Sequence, residues 1–265
     1  MHPLISSTAN PKIKHVQALQ KARTRKQSGT FLVEGGKEID MAIQAGYQVE
    51  QLYWCEELDR EQWCQKWLSQ GISNSIVVPI SKVVFEKIAY RDQKDGLVAI
   101  VHQQTHKLAD LQLSKNPLLL IAEAIEKPGN LGAILRTADG VGADAVIVCD
   151  PHTDMYNPNV IRSSVGCFFN VPLVVSDNAT CYAWLQDKGI ATVATAITAT
   201  HRYDEADLSG PIALLLGTEA TGLSPFWLDK AEIQIKIPML GVNDSLNVSV
   251  ATGIVAYEAL RQRGL

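Results

Sequence analysis

The sequence has no apolar run near the roughly 20 residues that span a bilayer. Its longest apolar pieces, Leu118 to Ala122 and Ile212 to Gly217, are strand-sized, so no membrane-crossing helix is expected. No basic stretch leads into an apolar segment after Met1-His2-Pro3-Leu4-Ile5-Ser6, which points away from secretion and toward the cytoplasm. The five cysteines (Cys55, Cys64, Cys149, Cys167, Cys181) are odd in number and include no C-x-x-C pair. That excludes a regular disulfide framework and a zinc knuckle, and leaves reduced thiols. Of the histidines only His102 and His106 have i,i+4 spacing, with no H-E-x-x-H around them and connecting chain between them, so no metal site is expected. Gly140-Val141-Gly142 ends a helix and precedes a strand, the reverse of the dinucleotide fingerprint, which sets aside a nicotinamide-dependent dehydrogenase. Internal repeats and low-complexity segments are also missing.

What is present suits a globular chain of one large or two modest domains: 265 residues, 46% hydrophobic and 20% charged. The 24 basic and 28 acidic residues give a net charge of −4, but the charge is unevenly spread. Residues 1–30 hold Lys12, Lys14, Lys21, Arg23, Arg25 and Lys26 and no acid, a local +6 that leaves −10 on the remainder. A basic arm on an acidic body is a candidate phosphate-contacting element, because clustered cations release counterions when they neutralise a backbone. A solvated helix face has the same composition, and composition alone leaves both readings open.

Asn10-Pro11 predicts a helix start, with Ile13, Val16, Leu19 and Ala22 at helical spacing up to Gly29. Strands are expected at 30–33, 49–54, 75–79 and 97–102, with helices at 36–45, 60–69 and 82–88, a small α/β module. Between about His102 and Pro117 the chain turns polar and loses periodicity. The expected division is therefore an N-terminal domain over 1–105, a linker over 106–116 and a second domain over 117–265. In the second domain, strands are expected at 118–123, 146–149, 191–196, 212–216 and 233–237. Helices are expected at 128–141, 158–164 and 180–188, with a long final one from about Ser245 to Arg263.

Three segments could carry chemistry. The helix after Pro128 has a core stripe of Leu131, Ile134, Leu135 and Ala138. Its opposite face bears Gly129, Gly132, Ala133 and Gly140 around Arg136, where small residues would let a ligand or another chain approach and the guanidinium suits a phosphate or carboxylate. A structural ion pair is the competing role for Arg136. Leu214 to Leu223 is a buried strand entering a turn with Gly217, Glu219 and Gly222, at the strand end where α/β sheets bind ligands. Ile237 to Val250 runs from a strand through a loop into a helix capped by Asp244 or Ser245, apolar or small on every side and so expected to be buried all round. Its start is a natural place for a polar or anionic ligand, with plain N-capping as the alternative.

Together these segments resemble the SpoU family of the SPOUT superfamily, RNA ribose 2′-O-methyltransferases that use S-adenosylmethionine. Motif one reads Asn130-Leu131-Gly132-Ala133-Ile134-Leu135-Arg136-Thr137-Ala138, motif two Gly217-Thr218-Glu219 through Gly222-Leu223, and motif three Ile237-Pro238-Met239 through Ser245-Leu246-Asn247-Val248-Ser249. Order and spacing match over about residues 117–263; a mild departure is Val141, where the family has an aromatic. The N-terminal part resembles the small substrate-binding domain of many members, through Asn10-Pro11-Lys12-Ile13-Lys14 and Phe31-Leu32-Val33-Glu34-Gly35.

The resemblance implies an α/β fold: a C-terminal parallel-sheet domain with a deep trefoil knot, a topology otherwise essentially absent from proteins, plus a small N-terminal α/β RNA-binding domain. It also implies a homodimer through the knotted domain. The methyl donor would be held by Thr195, Ala196, Gly217, Ile237, Met239 and Leu246, without a metal. Arg136, Asn130, Glu219, Ser245 and Asn247 would be the catalytic set, and Lys12, Lys14, Arg23, Arg25 and Lys26 would contact RNA. A guanidinium with a pKa above about 12 is a poor base, so Arg136 is expected to grip the phosphate flanking the target ribose and stabilise the developing alkoxide. The expected substrate is rRNA; tRNA, and a non-catalytic ribosome-assembly role on the same scaffold, are the alternatives.

Overall fold

The computed structural model describes residues 2–90, 95–218 and 221–264. The chain forms two compact units, Met1–Gln104 with Tyr156–Arg162, and Thr105–Met155 with Ser163–Leu265.

The first unit begins with helices α1 (Pro11–Ala18) and α2 (Ala22–Ser28), then β1 (Thr30–Glu34), α3 (Gly36–Gln44), β2 (Val49–Trp54), α4 (Trp63–Ser69), β3 (Val77–Pro79), α5 (Lys82–Ile88) and β4 (Leu97–His102). Its strands make a mixed sheet in the order β1-β4-β2-β3, antiparallel except for β2 beside β3. Asn10 caps α1 by accepting from the Lys12 amide at 2.9 Å, with Pro11 at the first position, as the sequence predicts. The single helix expected up to Gly29 is instead two. Leu19 turns into the core with Ile13 and Val16, and its carbonyl accepts a 2.8 Å bond from Arg25 Nη1.

That bond narrows the basic arm. Arg25 is 1% exposed, so its guanidinium is spent inside the fold and is not offered to a phosphate. Lys14, Lys21, Arg23 and Lys26 are exposed and Lys12 is half-buried. Charge patterning could not separate Arg25 from its neighbours, because only the break between α1 and α2 brings it under Leu19.

The second unit continues with β5 (Leu118–Glu123), α6 (Pro128–Gly140), β6 (Ala145–Cys149), α7 (Pro158–Ser164, whose last two residues belong here), α8 (Cys167–Asn170), β7 (Leu173–Ser176), α9 (Asn178–Lys188) and β8 (Ala191–Thr195). After these come β9 (His201–Arg202), β10 (Ile212–Leu216), α10 (Pro225–Lys230), β11 (Ile233–Lys236) and α11 (Val248–Gln262). The strands form one parallel sheet in the order β7-β6-β5-β10-β8-β11-β9. Every residue of β5, β6 and β10 is buried, as expected of central parallel strands covered on both faces. The edge strand β7 is not anticipated by the sequence reading: it is four residues long and leaves Val175 49% exposed, too little apolar pattern to register. Leu108, Leu111 and Leu113, in the stretch read as a linker, pack onto the core of this unit.

The final helix starts three residues later than predicted. Asn247 is its cap, accepting from the Ser249 amide at 2.9 Å, and Asp244 and Ser245 stay in the preceding loop. Nor is α11 buried all round, since Val250 is 50% and Tyr257 52% exposed. The small residues of α6 serve the chain's own packing: a Cβ on Gly132 would lie 1.9 Å from Ser163 Oγ, and one on Gly140 would lie 2.9 Å from the Tyr257 hydroxyl. Gly129 faces open space.

Candidate functional site

Three loops at the carboxyl ends of neighbouring strands enclose one cavity. β10 is followed by Gly217, β8 ends at Thr195 and runs on to Thr198, and β11 leads through Ile237 and Met239 to Asp244, Ser245 and Leu246. Because these strands are parallel and adjacent, residues far apart in sequence leave the sheet on the same edge. The cavity measures about 450 Å³, inside the roughly 300–1,000 Å³ typical of sites for cofactor-sized ligands.

Its lining is divided. Leu223, Leu228, Ile235, Val248 and Val255 form an apolar part, while Thr195, Thr198, Thr218, Thr221, Asp244 and Ser245 bring polar groups. Such a surface suits a ligand with a flat apolar portion and a charged, hydrogen-bonding tail. The Thr195 hydroxyl donates to the Leu215 carbonyl at 2.9 Å, which ties the end of β8 to β10. The turn after β10 closes on itself: the Thr218 amide donates to the Gly222 carbonyl at 2.9 Å, and the Gly222 amide donates back at 3.1 Å. Gly217 lies so near the returning chain that a Cβ there would sit 2.1 Å from the Gly222 carbonyl carbon.

All six residues expected to hold the methyl donor line this cavity, with Ser245. Two residues of the polar set pair beside it. Asn247 Nδ2 donates to Asn130 Oδ1 at 3.2 Å, joining the cap of α11 to the first turn of α6. The side chain of Arg136 is exposed, nearly two turns along α6 from Asn130. It neighbours Asp139 and Cys167: burial pushes the Cys167 thiol up, Asp139 adds to that, and Arg136 opposes it. Ser245, Leu246 and Asn247 thus bridge the two sets, the first two facing the cavity and the third holding α6. Glu219 lies outside the described residues.

The sequence reading missed Thr198, Asp244 as a wall residue, and the apolar lining from α10 and α11. A signal did exist for α11, where Val248, Ala251 and Val255 repeat at i, i+3 and i+7. Asp244 was hidden because an acid just before a helix reads equally well as a cap.

A family model described as the SpoU rRNA Methylase family matches residues 117–257, which include every residue lining the cavity and the Asn130–Asn247 pair. The chain belongs to the SpoU rRNA methylase family. A second model, the MRM3-like substrate binding domain, matches residues 10–99 of this SpoU family protein. It is 29% identical over 253 residues, 96% of this chain and 97% of the relative, to 23S rRNA (guanosine(2553)-2′-O)-methyltransferase RlmP of Bacillus subtilis. It is 37% identical over 202 residues, 74% of this chain and 82% of the relative, to 23S rRNA (guanosine-2′-O-)-methyltransferase RlmB of Pectobacterium atrosepticum. Among solved structures, the AdoMet-bound rRNA methyltransferase from Sinorhizobium meliloti superposes with a TM-score of 0.88 at 30% identity, covering 98% of this chain and 97% of that one. The mixed α/β architecture with its parallel seven-stranded sheet is accordingly a SPOUT fold.

Proposed function

We propose that the protein transfers a methyl group from S-adenosylmethionine to the ribose 2′-hydroxyl of a nucleotide in rRNA. The observation that carries this is the convergence of Thr195, Gly217, Ile237 and Leu246, from three separate strand exits, on one cavity whose rim reaches the Asn130–Asn247 pair. The cavity's apolar lining and its threonine and aspartate edge fit an adenosine with a charged amino-acid tail. Thr195, Ala196, Gly217, Ile237, Met239 and Leu246 would hold that molecule. When bound, it supplies an electrophilic methyl group on a sulfonium.

The chain's own residues do the positioning. Arg136, exposed on α6, would take the phosphate beside the target ribose and stabilise charge developing on the attacking oxygen. Asn130, held by Asn247, and Ser245 would orient the hydroxyl, with Glu219 completing the set. The first unit would contact RNA through Lys12, Lys14, Arg23 and Lys26. An rRNA substrate rather than tRNA is supported by the relatives, which are 23S rRNA enzymes. The same reading places the protein in the cytoplasm and makes the second unit a knotted homodimer. Exposed Val250 and Tyr257 on α11, and Leu240 and Val242 in the preceding loop, support a dimer.

The test is transfer of labelled methyl to deproteinised rRNA, assembled ribosomal subunits and total tRNA, followed by nuclease mapping. Label in a ribose of 23S rRNA is the expected result. Label only in tRNA would overturn the substrate, and absence of cofactor binding would favour the non-catalytic scaffold.

RNA binding has its own test. Deleting residues 1–28 would strip Ile13, Val16 and Leu19 from the core, so charge reversal is the informative change. Combining Lys14→Glu, Arg23→Glu and Lys26→Glu should weaken RNA binding about tenfold or more at low salt and flatten its salt dependence. Affinity for S-adenosylmethionine should not change. RNA affinity equal to wild type across the salt range would remove the arm from the interface.

A further inference from the structure

Ser224-Pro225 looks in sequence like an ordinary helix start, yet the Ser224 hydroxyl makes no capping bond to α10. It donates instead to Oε1 of Glu123 at 2.6 Å, while the Ser224 amide donates to Oε2 at 2.7 Å. Glu123 is the last residue of β5 and 4% exposed. A third donor, Asn178 Nδ2 on the first residue of α9, reaches Oε1 at 2.7 Å, and Asn178 Oδ1 in turn accepts from Trp227 Nε1 at 2.6 Å. A buried carboxylate carries a large desolvation cost that such charge-assisted bonds must offset. Two of its three bonds are made to Ser224, the residue on which the chain leaves the 217–224 turn for α10.

That turn forms one wall of the cavity, through Thr218, Thr221, Gly222 and Leu223. It leaves the sheet directly after β10, and the Thr218 and Gly222 backbones pair with each other. Its exit is fixed by Leu223, 6% exposed in the core, and by the bonds to Glu123. We infer that Glu123 is a positioning residue: through Ser224 it clamps the exit of this turn and so sets the affinity of the cavity for S-adenosylmethionine. This rests on the cofactor reading above. Glu123 touches neither substrate nor cofactor in this role.

The acceptor-only chemistry of a carboxylate is what the site requires. All three donor groups, two on Ser224 and one on Asn178, point at the carboxylate, and a glutamine of the same shape would turn its NH₂ either toward the Ser224 amide or toward the Asn178 amide group. Glu123→Gln should therefore release the turn without removing volume. Ser224→Ala keeps the backbone donor and should give a weaker version of the same effect. Leu185→Ala, which hollows the same core beneath α9, serves as the control for general destabilisation.

The experiment is steady-state methyl transfer by the full chain, with S-adenosylmethionine and RNA varied in turn, beside hydrogen exchange of the peptide spanning 217–224 without cofactor. For Glu123→Gln the KM for S-adenosylmethionine should rise about tenfold, as expected when a buried hydrogen bond is replaced by a donor–donor contact. Its kcat at saturation and KM for RNA should stay within about twofold, and exchange at 217–224 should quicken. Leu185→Ala should lower Tm and leave the KM for S-adenosylmethionine in place. An unchanged KM in a folded Glu123→Gln protein, or equal losses in every parameter for both variants, would overturn the clamp. A wild-type chain that binds no S-adenosylmethionine would overturn the cofactor reading and the clamp with it, whatever the exchange result.

Discussion

Arg136→Ala is expected to lower methyl transfer to RNA about 10²–10³-fold, the usual loss when one preorganised electrostatic group is removed from a transition state. The fold should not notice. The Arg136 side chain is exposed on α6, opposite the buried stripe of Leu131, Ile134, Leu135 and Ala138, so its loss should change stability by no more than about 0.5 kcal/mol. Nor should S-adenosylmethionine binding change, because Arg136 does not line the cavity. Arg136→Lys separates charge from geometry. A lysine keeps the positive charge but cannot offer the planar pair of donors that grips a phosphate, so it should recover only a small part of the rate. Single-turnover transfer to 23S rRNA, with calorimetric cofactor binding and a melting curve for each variant, measures all three quantities. Near-normal turnover of Arg136→Lys with unchanged RNA affinity would sink the proposed role of the guanidinium.

Gly217→Ala is expected to abolish cofactor binding and to destabilise the second unit by about 1–3 kcal/mol or more, the range for forcing volume into a packed site. The added methyl would lie 2.1 Å from the Gly222 carbonyl carbon, 2.2 Å from the Leu223 amide nitrogen and 2.5 Å from the Gly222 carbonyl oxygen. Every one of these is backbone, so no side chain can swing away. The turn must open, and its other end is held by Glu123 through Ser224. Gly222→Ala makes a sharp comparison on the same turn. Nothing lies within 4 Å of a Cβ there, and the cost is the left-handed backbone at φ 70°, worth about 1–2 kcal/mol for a residue with a side chain. That variant should melt earlier yet keep measurable affinity for S-adenosylmethionine. Equal binding by Gly217→Ala and wild type would show that the turn is not a wall of the cofactor site.

Local pattern was enough to mark out most of this protein. The apolar runs of β5 and β10 are buried at every position, and the α6 stripe packs inward as its spacing requires, because parallel strands and amphipathic helices bury what they repeat. The motifs at 217, 237 and 246 also carried enough residue identity to name Gly217, Ile237, Met239 and Leu246 among the residues that line the cavity. Where a pattern had two physical solutions, tertiary structure chose between them. Asp244, Ser245 and Asn247 can each cap a helix; Asn247 does so while also holding Asn130, and that choice leaves Asp244 and Ser245 free to face the cavity. Arg25 looks like its basic neighbours until the chain bends at Leu19 and buries it. Glu123 and Ser224 are 101 residues apart, and no periodicity links them. Apolar spacing is a property of contiguous chain and marked out most of the elements, while the motif residues carried the family resemblance; hydrogen-bond partners depend on which strand ends the sheet brings together, and only the folded sheet decided those.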